Sequence, residues 1–295
     1  MREVLVRSRP SAVPPSLESF VTADGLRLNL RRWPAPNAVN ARGTVLIVHG
    51  LGEHIGRYDD LAASLNAAGW NVAGHDQRGH GQSEGPRGAL AHDHNLLADL
   101  AGVSDHVRGR GRFLLLGHSL GGLVAARFVA ESLSPSAARW SREVDGLVLS
   151  SPALDAGLSA MQCALLTVLA PLAPSLRLGN RLRPEWISRN PAIVHDYVHD
   201  PLVHPHITPR LLRFIAAAGP AVLQQAPRWR VPTLLMWAGA DRCVRPAGSQ
   251  AFARAADAGQ LSSHVYPALY HEIFNEPERQ AVLADLHHWL NRRWP

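Results

Sequence analysis

The sequence predicts an α/β fold in which helices flank a mostly parallel central sheet and a helical insertion interrupts the alternation once. Short, continuously apolar runs recur along the 295 residues, and such runs are typical of strands buried on both faces of a parallel sheet. Segments with helical spacing alternate with these runs, which is the order expected of strand–helix–strand units. The alternation stops between residues 152 and 230, where helical patches and prolines replace it.

The amino-terminal part contains most of the predicted strands. Residues 1–15 hold three prolines and predict a loose arm. Two strands are expected within residues 18–33, joined at Ala23-Asp24-Gly25, because Asp-Gly followed by alternating leucines favours a hairpin. Buried strands are then predicted at 43–49, 70–75, 113–118 and 144–150, with helices at 61–68, 94–108 and 123–129.

The carboxy-terminal part resumes the alternation. Its predicted elements are a strand at 231–238, a helix at 249–258, a short strand at 264–266 and an amphipathic helix at 277–293. The simplest organisation is one α/β domain made of residues 1–151 and 231–295, with the insertion at 152–230 between the two pieces. A chain of this length can bury one large core, so no further domain is required.

Composition excludes several classes of protein. The net charge is +6, and all 30 basic residues are arginines that are spread along the chain. Nucleic-acid binding is not expected, because a nucleic-acid footprint concentrates its positive charge on one face. Two cysteines, Cys163 and Cys243, are too few for a disulfide framework.

The apolar pattern leads us to expect neither a secretory signal nor a membrane span. Its first sixteen residues lack the apolar stretch of a signal peptide. The longest apolar stretch, residues 158–173, is interrupted by polar residues and by Pro171, so it falls short of a spanning helix. We therefore expect a soluble, cytoplasmic protein; the sequence sets no oligomeric state.

The candidate nucleophile is Ser119. It stands in Gly117-His118-Ser119-Leu120-Gly121, with an apolar strand before the motif and a helical pattern after it. A sharp strand-to-helix turn would raise the serine hydroxyl clear of the sheet, and glycines on either side leave room for neighbouring backbone. The alternative is an ordinary glycine-rich turn. That interpretation would require the other catalytic residues to be absent from the sequence.

Those other parts follow the late strands. A serine hydroxyl needs a nearby base, and an acid should orient that base. Sites in open parallel sheets lie at the carboxyl ends of strands, where Asp241 and His271 occur. The order Ser119, Asp241, His271 is the one known for this kind of triad. The remaining histidines lie elsewhere in the chain order, and the other late acids, Asp257 and Asp285, fall in predicted helices.

Attack on a carbonyl also needs donors for the developing oxyanion. The amide after the nucleophile, that of Leu120, is one candidate. The loop after the strand at 43–49 offers the amide of Leu51, and the neighbouring Gly50 permits the turn. His118 is expected to point away from the serine hydroxyl, because it is the adjacent residue.

Two polar segments have alternative interpretations. Residues 195–206 repeat His and Asp at helical spacing, which could present metal ligands, but no HExxH or cysteine element supports a metal. We favour the interpretation that residues 195–206 are polar residues that close the insertion. Residues 76–81 are glycine-rich without the Lys-Ser/Thr of a phosphate loop, so we interpret them as a loop that flanks the active site.

With these residues assembled, the chain resembles an α/β-hydrolase of the monoacylglycerol lipase and lysophospholipase group. His49-Gly50-Leu51-Gly52-Glu53-His54 with Arg57-Tyr58 is similar to the HGxGEHxxRY element of that group. Residues 76–88 resemble its DxRGHGxSxGxRG element. Three further segments resemble the nucleophile, acid and base motifs of the group, namely Gly117–Gly122, Gly239–Arg242 and His271-Glu272. The resemblance therefore covers nearly the whole chain.

This resemblance implies hydrolysis of carboxylic esters without a cofactor or a metal, and a mobile helical cap over an apolar tunnel. The expected substrate is a lipid-like monoester, with a monoacylglycerol as the leading candidate. Gly50 and His118 beside the serine, and Leu165 and Leu169 in the insertion, are the expected substrate contacts. The cap is also expected to touch a membrane or lipid interface transiently, as a peripheral protein does.

Several alternatives remain open at this point. The same machinery serves lysophospholipases, thioesterases and peptidases, since specificity lies in the cap. Haloalkane dehalogenation is disfavoured because position 119 is Ser and not Asp. A non-catalytic binding protein on this fold is the candidate from another class, although such proteins typically lose a triad member.

Overall fold

The computed structural model describes residues 14–134 and 136–295, so most of the predicted arm at 1–15 lies outside the described residues. The strands are β1 (Ser16–Val21), β2 (Arg27–Trp33), β3 (Gly43–Val48), β4 (Asn71–His75), β5 (Arg112–His118), β6 (Gly146–Ser150), β7 (Leu178–Gly179), β8 (His206–Ile207), β9 (Thr233–Ala238) and β10 (Leu261–Tyr266). The helices are α1 (Asp59–Ala67), α2 (Asn95–Val107), α3 (Leu120–Ser132), α4 (Ala160–Leu172), α5 (Pro191–His199), α6 (Pro209–Gln225), α7 (Pro246–Ala255) and α8 (Arg279–Arg293).

Eight strands form one sheet in the order β1-β2-β4-β3-β5-β6-β9-β10. The six strands from β4 to β10 in this order pair in parallel, while β1 and β2 join one edge as antiparallel strands. The predicted α/β-hydrolase fold is therefore confirmed. The chain steps from β3 outward to β4 and then returns to the other side of β3 as β5. The crevice outside the carboxyl ends at such a reversal is where open α/β sheets bind ligands.

The central strands are buried on both faces, which explains their continuous apolar runs. In β5, Phe113 and Leu115 face a core shared with α2, α3 and α6, whereas Leu114 and Leu116 face a core shared with α1 and α8. Successive side chains of a strand point to opposite faces. A run without polar residues is thus what a strand between two helical layers needs.

The edge strand β10 shows where the sequence pattern was less informative. We predicted a strand over residues 264–266, and the structure has it over Leu261–Tyr266. Ser262, Ser263 and His264 interrupt the apolar pattern because this strand pairs with β9 on one side only and is largely open to solvent.

The insertion is mainly helical, but the expectation that it contains no strand was wrong. The two-residue strands β7 and β8 pair antiparallel, with Leu178 opposite Ile207. Strands this short carry no periodic signal. The helix α6 packs against α3, and its apolar face (Leu211, Phe214, Ile215, Ala218, Val222) belongs to the main core. The boundary at residue 230 stays a prediction, and the second half of the insertion shares its core with the sheet domain.

The helix α4 begins with a capping box, in which Ser159 and Gln162 exchange hydrogen bonds with each other's backbone. Its buried residues, Leu166 and Ala170, are four apart and face α6. Most of its other apolar side chains are exposed. None of the described helices has the length and apolar character needed to cross a bilayer.

The two-sided burial of β5 makes a stability prediction. Leu115→Ala removes a fully buried side chain and should lower the free energy of unfolding by about 2–5 kcal/mol, because a cavity remains between the sheet and α3. Leu172→Ala is the matched control on the exposed face of α4 and should change stability by less than about 0.5 kcal/mol. Urea denaturation measures both; equal effects would contradict the layered core described above.

Candidate active site

Ser119 occupies a strained turn between β5 and α3. Its backbone has φ 53° and ψ −119°, a region that costs a residue with a side chain of the order of 1–3 kcal/mol. The turn is tight because a β-carbon at Gly117 would overlap the carbonyl of Gly121, and one at Gly121 would overlap the carbonyl of Val48. The two glycines therefore let β3, β5 and α3 approach closely enough to hold this turn.

Hydrogen bonds hold the strained backbone in place. The amide of Ser119 donates to the carbonyl of Ser150 at 3.0 Å, and the carbonyl of Ser119 accepts from Leu123 and Ala153, each at 3.0 Å. These bonds connect the turn to the end of β6 and to the first turn of α3. The surrounding structure thus fixes the conformation that the serine could not keep alone.

The two late candidates, Asp241 and His271, form a hydrogen-bonded pair. Asp241 follows β9 and His271 follows β10, and their side chains join through Nδ1 and Oδ2 at 2.6 Å. The other carboxylate oxygen of Asp241 accepts the amides of Cys243 at 2.8 Å and Val244 at 3.1 Å. The side chain of Asp241 is 1% exposed and that of His271 is 6% exposed.

The environment sets the charges of this pair. Burial would raise the pKa of Asp241, but His271 and the two backbone amides outweigh burial, so the pKa lies below its ordinary value. Burial would lower the pKa of His271, but the charge and hydrogen bond of Asp241 outweigh it, so that pKa lies above its ordinary value. A carboxylate held ionised in this way stabilises an imidazolium beside it.

His118 packs against His271, with ring centroids 4.7 Å apart. Its Nδ1 lies 3.1 Å from both the carbonyl and the hydroxyl of Ser150. Burial, and then the charge of His271, lowers the pKa of His118 to about 4, so this ring is neutral at physiological pH. Because His118 adjoins Ser119 in the chain, this packing brings the His271 ring to the nucleophile turn.

In the described part of the chain, no hydrogen bond joins the Ser119 hydroxyl to His271. Contacts of this kind are often long without substrate and tighten in the substrate complex. The assignment of Ser119, Asp241 and His271 to catalysis therefore stays a prediction that rests on the turn, the Asp–His pair and their proximity.

The loop after β3 lies directly beside the nucleophile. A β-carbon at Gly50 would sit 3.2 Å from Cβ of Ser119, and Gly52 has φ 78°, a conformation that favours glycine. The amide of Gly50 donates to Glu53 at 2.5 Å. Neither the amide of Leu51 nor that of Leu120 has an acceptor among the residues described. Both predicted oxyanion donors are thus free to bind a ligand oxygen.

A buried charge network supports this loop and was missed by sequence reasoning. Arg57 donates to both carboxylate oxygens of Glu272, at 2.6 and 2.8 Å, and to Glu53 at 2.7 Å. Tyr58 also donates to Glu53, at 2.7 Å. Glu53, Arg57 and Glu272 belong to the motifs quoted above, but one sequence does not reveal that residues 53 and 272 share a partner.

This network connects the two halves of the site electrostatically. Burial would raise the pKa of Glu53, but Arg57 and His118 outweigh it and bring the pKa to about 2. The two carboxylates hold the pKa of Arg57 above its ordinary value despite burial. Glu53 fixes the Gly50 loop and Glu272 follows His271 directly, so Arg57 connects the loop that carries the predicted oxyanion donor Leu51 to the loop of the candidate base.

A cavity of about 570 Å³ lies between α1 and α8 and reaches this network. Its lining includes the polar side chains of Glu53, Arg57, His118 and Glu272. It also includes the apolar residues Pro34, Leu61, Phe274 and Leu283. This volume is within the range of small-molecule sites. Of the residues around the nucleophile turn, the lining includes His118, which precedes Ser119 in the chain, but not Ser119 itself.

The predicted acyl contacts in the insertion lie on α4. Leu165 is 61% exposed, and Leu169 is half-buried beside the face that packs on α6. Both residues therefore lie on α4 next to the face that packs against α6. Their contact with a substrate stays a prediction.

The polar segment at 195–206 connects the insertion to the loops around the site. Asp200 pairs with His54 at 2.7 Å, and His204 lies within 3.0 Å of the carbonyl of Gly79. His195 and His199 stack on each other with centroids 4.2 Å apart. Within the described residues, the donor atoms that come together in a metal-like arrangement belong instead to Asp241, Cys243 and His271, and lie within 4.8 Å of one another.

Comparisons with known proteins agree with this geometry. The profile of the family described as serine aminopeptidase, S33 matches residues 39–278. A monoacylglycerol lipase of Mycolicibacterium smegmatis is 34% identical over 93% of this chain and 96% of its own length. The monoglyceride lipase of Rattus norvegicus is 30% identical over 97% of this chain and 94% of its own length.

Solved structures give the same result. The crystal structure of a monoacylglycerol lipase from Paleococcus ferrophilus superposes with a TM-score of 0.79 and 33% identity, over 90% of this chain and 99% of that chain. A soluble variant of monoglyceride lipase from Saccharomyces cerevisiae, solved with a substrate analogue, gives a TM-score of 0.82 over 98% and 99% of the two chains. At 22% identity, the second likeness supports the fold alone.

The Asp241–His271 pair makes a pH prediction. Asp241→Asn should lower kcat by about 10⁴-fold, because an asparagine favours the wrong imidazole tautomer. Wild-type activity should fall as pH drops through the raised pKa of His271, since only the neutral ring accepts a proton. In the variant this acid limb should move to lower pH because the carboxylate charge is lost.

Asp257→Asn is the matched control, since Asp257 is an exposed late acid that caps a turn at Gly259. Its pH profile of kcat/KM should coincide with that of the wild type. An Asp241→Asn enzyme with wild-type kcat would remove Asp241 from the mechanism.

Proposed function

We propose that this chain, which belongs to the serine aminopeptidase, S33 family of α/β-hydrolases, is a serine carboxylic-ester hydrolase that cleaves monoacylglycerols. Family membership makes the chain a hydrolase. The observation that carries the proposed mechanism is the strained serine at residue 119, set beside a buried, hydrogen-bonded Asp–His pair. The named activity of the similar enzymes supports the choice of substrate.

The proposed reaction has two halves. His271 takes the proton from Ser119 through Nε2 while the serine oxygen attacks the ester carbonyl, and the amides of Leu51 and Leu120 donate to the oxyanion. The imidazolium, stabilised by Asp241, then returns its proton to the departing alcohol. Water attacks the acyl-enzyme with the same proton transfers and releases the fatty acid.

The surroundings of the site suit an ester with one apolar and one polar end. We infer that the hydroxylated alcohol lies toward the cavity lined by Glu53, Arg57 and Glu272, because these carboxylates have lone pairs beyond those that accept from Arg57. The insertion contributes apolar side chains, including Leu165 and Leu169. A monoacylglycerol combines one acyl chain with a diol head group and therefore matches both surfaces.

We also propose that α4 contacts a lipid interface transiently, so that the protein associates with the membrane as a peripheral protein. Met161, Leu165, Val168 and Leu172 are all more than half exposed on this helix. Exposed apolar side chains grouped on one element are uncommon unless they meet another surface. Three arginines follow the helix (Arg177, Arg181, Arg183), and they would favour an anionic headgroup region.

Removal of the nucleophile tests the proposed activity. Ser119→Ala should lower the hydrolysis of a long-chain 1-monoacylglycerol by at least about 10³-fold and abolish labelling by a fluorophosphonate probe, with the fold retained. Ser263→Ala, on the exposed edge strand, is the matched control and should match the wild type.

The same assay should rank the substrates. With one acyl chain held constant, kcat/KM should be highest for the monoacylglycerol, lower for a lysophospholipid and a thioester, and undetectable for a peptide amide. If the fluorophosphonate probe labels the protein but the lysophospholipid, the thioester or the amide is the best substrate, the proposed substrate is wrong and the enzyme class stands. A protein that takes no label would overturn both.

The lipid contact has a separate test. Leu165→Ser should reduce co-sedimentation with anionic phospholipid vesicles several-fold, since each apolar side chain buried in the interface adds to binding. Leu17→Ser is a closely matched control, because Leu17 is 60% exposed on the edge strand β1. Equal loss in the two variants, or none in either, would contradict a contact through α4.

A further inference from the structure

The loop after β9 places a second kind of donor beside the Asp–His pair. Cys243 is half-buried and lies two residues beyond Asp241. Its thiol sulfur, a carboxylate oxygen of Asp241 and a ring nitrogen of His271 lie within 4.8 Å of one another. The proposed hydrolysis uses the carboxylate and the imidazole but assigns no role to the thiol.

We propose that Asp241, Cys243 and His271 form an inhibitory binding site for a borderline-soft divalent cation such as Zn²⁺. Thiolate sulfur, imidazole nitrogen and carboxylate oxygen are all zinc ligands, and three protein ligands with an open fourth position is the arrangement of many tetrahedral zinc sites. Bonds of about 2.0–2.3 Å put such ligands about 3.3–3.8 Å apart. Donors as far apart as 4.8 Å therefore need to approach by about 1–1.5 Å, whereas Oδ2 of Asp241 and Nδ1 of His271, now 2.6 Å apart, need to separate by about 0.7 Å.

The loop geometry favours this movement. The backbone amides of Cys243 and Val244 hold the Oδ1 atom of Asp241, so the carboxylate and the cysteine belong to one closed turn. The Oδ2 atom faces Nδ1 of His271. An ion placed between these two atoms replaces the hydrogen bond, and the adjacent sulfur supplies the third bond.

The proton balance of binding is simple. As the sulfur–metal bond forms, the S–H bond breaks and its proton goes to solvent. If Nδ1 of the neutral ring binds the ion, the proton of that nitrogen goes to solvent and Nε2 takes one proton from solvent, so the ring stays neutral. No electron is transferred, and no reagent besides the cation and water is involved.

Binding of the cation to either ring nitrogen of His271 inhibits ester hydrolysis, a step that rests on the proposed function. A ring bound through Nδ1 and protonated on Nε2 cannot accept the proton of Ser119. A ring bound through Nε2 has no lone pair left for that proton. The ion also withdraws the carboxylate of Asp241 from the imidazolium that the reaction would form.

The first test is ester hydrolysis in metal-free buffer with increasing Zn²⁺. Wild-type activity should fall to a low plateau and recover with a chelator, while Mg²⁺ at the same concentrations should not inhibit, because it prefers oxygen ligands. Cys243→Ser should keep basal activity and need at least about tenfold more Zn²⁺ for half-inhibition, since a hydroxyl is a poor substitute for a thiolate ligand.

The matched control is Cys163→Ser, which removes the exposed cysteine of α4 and should leave Zn²⁺ inhibition unchanged. A Cys243→Ser enzyme with the half-inhibiting Zn²⁺ concentration of the wild type would overturn the site. Cys243→Ala, assayed beside it, repeats the comparison should the serine variant fold poorly.

A second readout does not depend on activity. In Cys163→Ser protein, Cd²⁺ should produce the ultraviolet thiolate-to-cadmium absorption band at one ion per chain. The band should persist when Ser119→Ala is added and vanish when Cys243→Ser is added. A protein inactive on esters that still shows this band would refute the proposed function alone, and absence of the band would refute the metal site alone.

Discussion

The architecture of the candidate active site depends on how closely three pieces of backbone approach one another at Ser119. The turn with φ 53° is possible because Gly117 and Gly121 present no β-carbon to the carbonyls beside them. Gly50 plays the same part for the loop after β3, since a β-carbon there would press on Cβ of Ser119. Hydrogen bonds from the end of β6 then hold the strained turn. Close packing of the central strands thus stabilises a conformation that the local chain disfavours.

The rest of the site is arranged around buried charge. Asp241 and His271 stabilise each other in a region from which water is nearly excluded. Beside them, Arg57 offsets two carboxylates whose burial would otherwise be costly. Because one carboxylate fixes the Gly50 loop and the other follows His271, the network positions both loops relative to Ser119. The cation site proposed at Cys243 draws on the same concentration of donor atoms.

The insertion is bound to the sheet domain through polar contacts as well as through α6. Glu276, which is fully buried, accepts from Ser188, from the amide and side chain of Arg189, and from the amide of Tyr270. The carbonyl of Ile187 accepts the amide of Glu272. The segment at 187–189 and the loop of His271 are therefore one connected unit, and a movement of the insertion at this point would reach the candidate base.

The sequence by itself determined the features that short-range chemistry controls. Continuous apolar runs predicted the buried strands, because a strand between two helical layers has no polar face, and the glycine pattern predicted the turn at Ser119. The sequence also placed Asp241 and His271 after late strands, in an order that parallel strands bring to one edge. It could not give the polar edge strand β10 its full length, or reveal the two-residue strands of the insertion, because neither carries an apolar period.

Only the tertiary structure decided which distant groups meet. It paired residue 241 with residue 271 and packed His118 against that histidine. It also gave Arg57 a partner, Glu272, that lies 215 positions away in the sequence. It also joined α6 to the main core and set Cys243 beside the Asp–His pair. Such contacts depend on how the strands are ordered in the sheet, and that order is fixed by the packing of the whole chain and not by any local stretch of it.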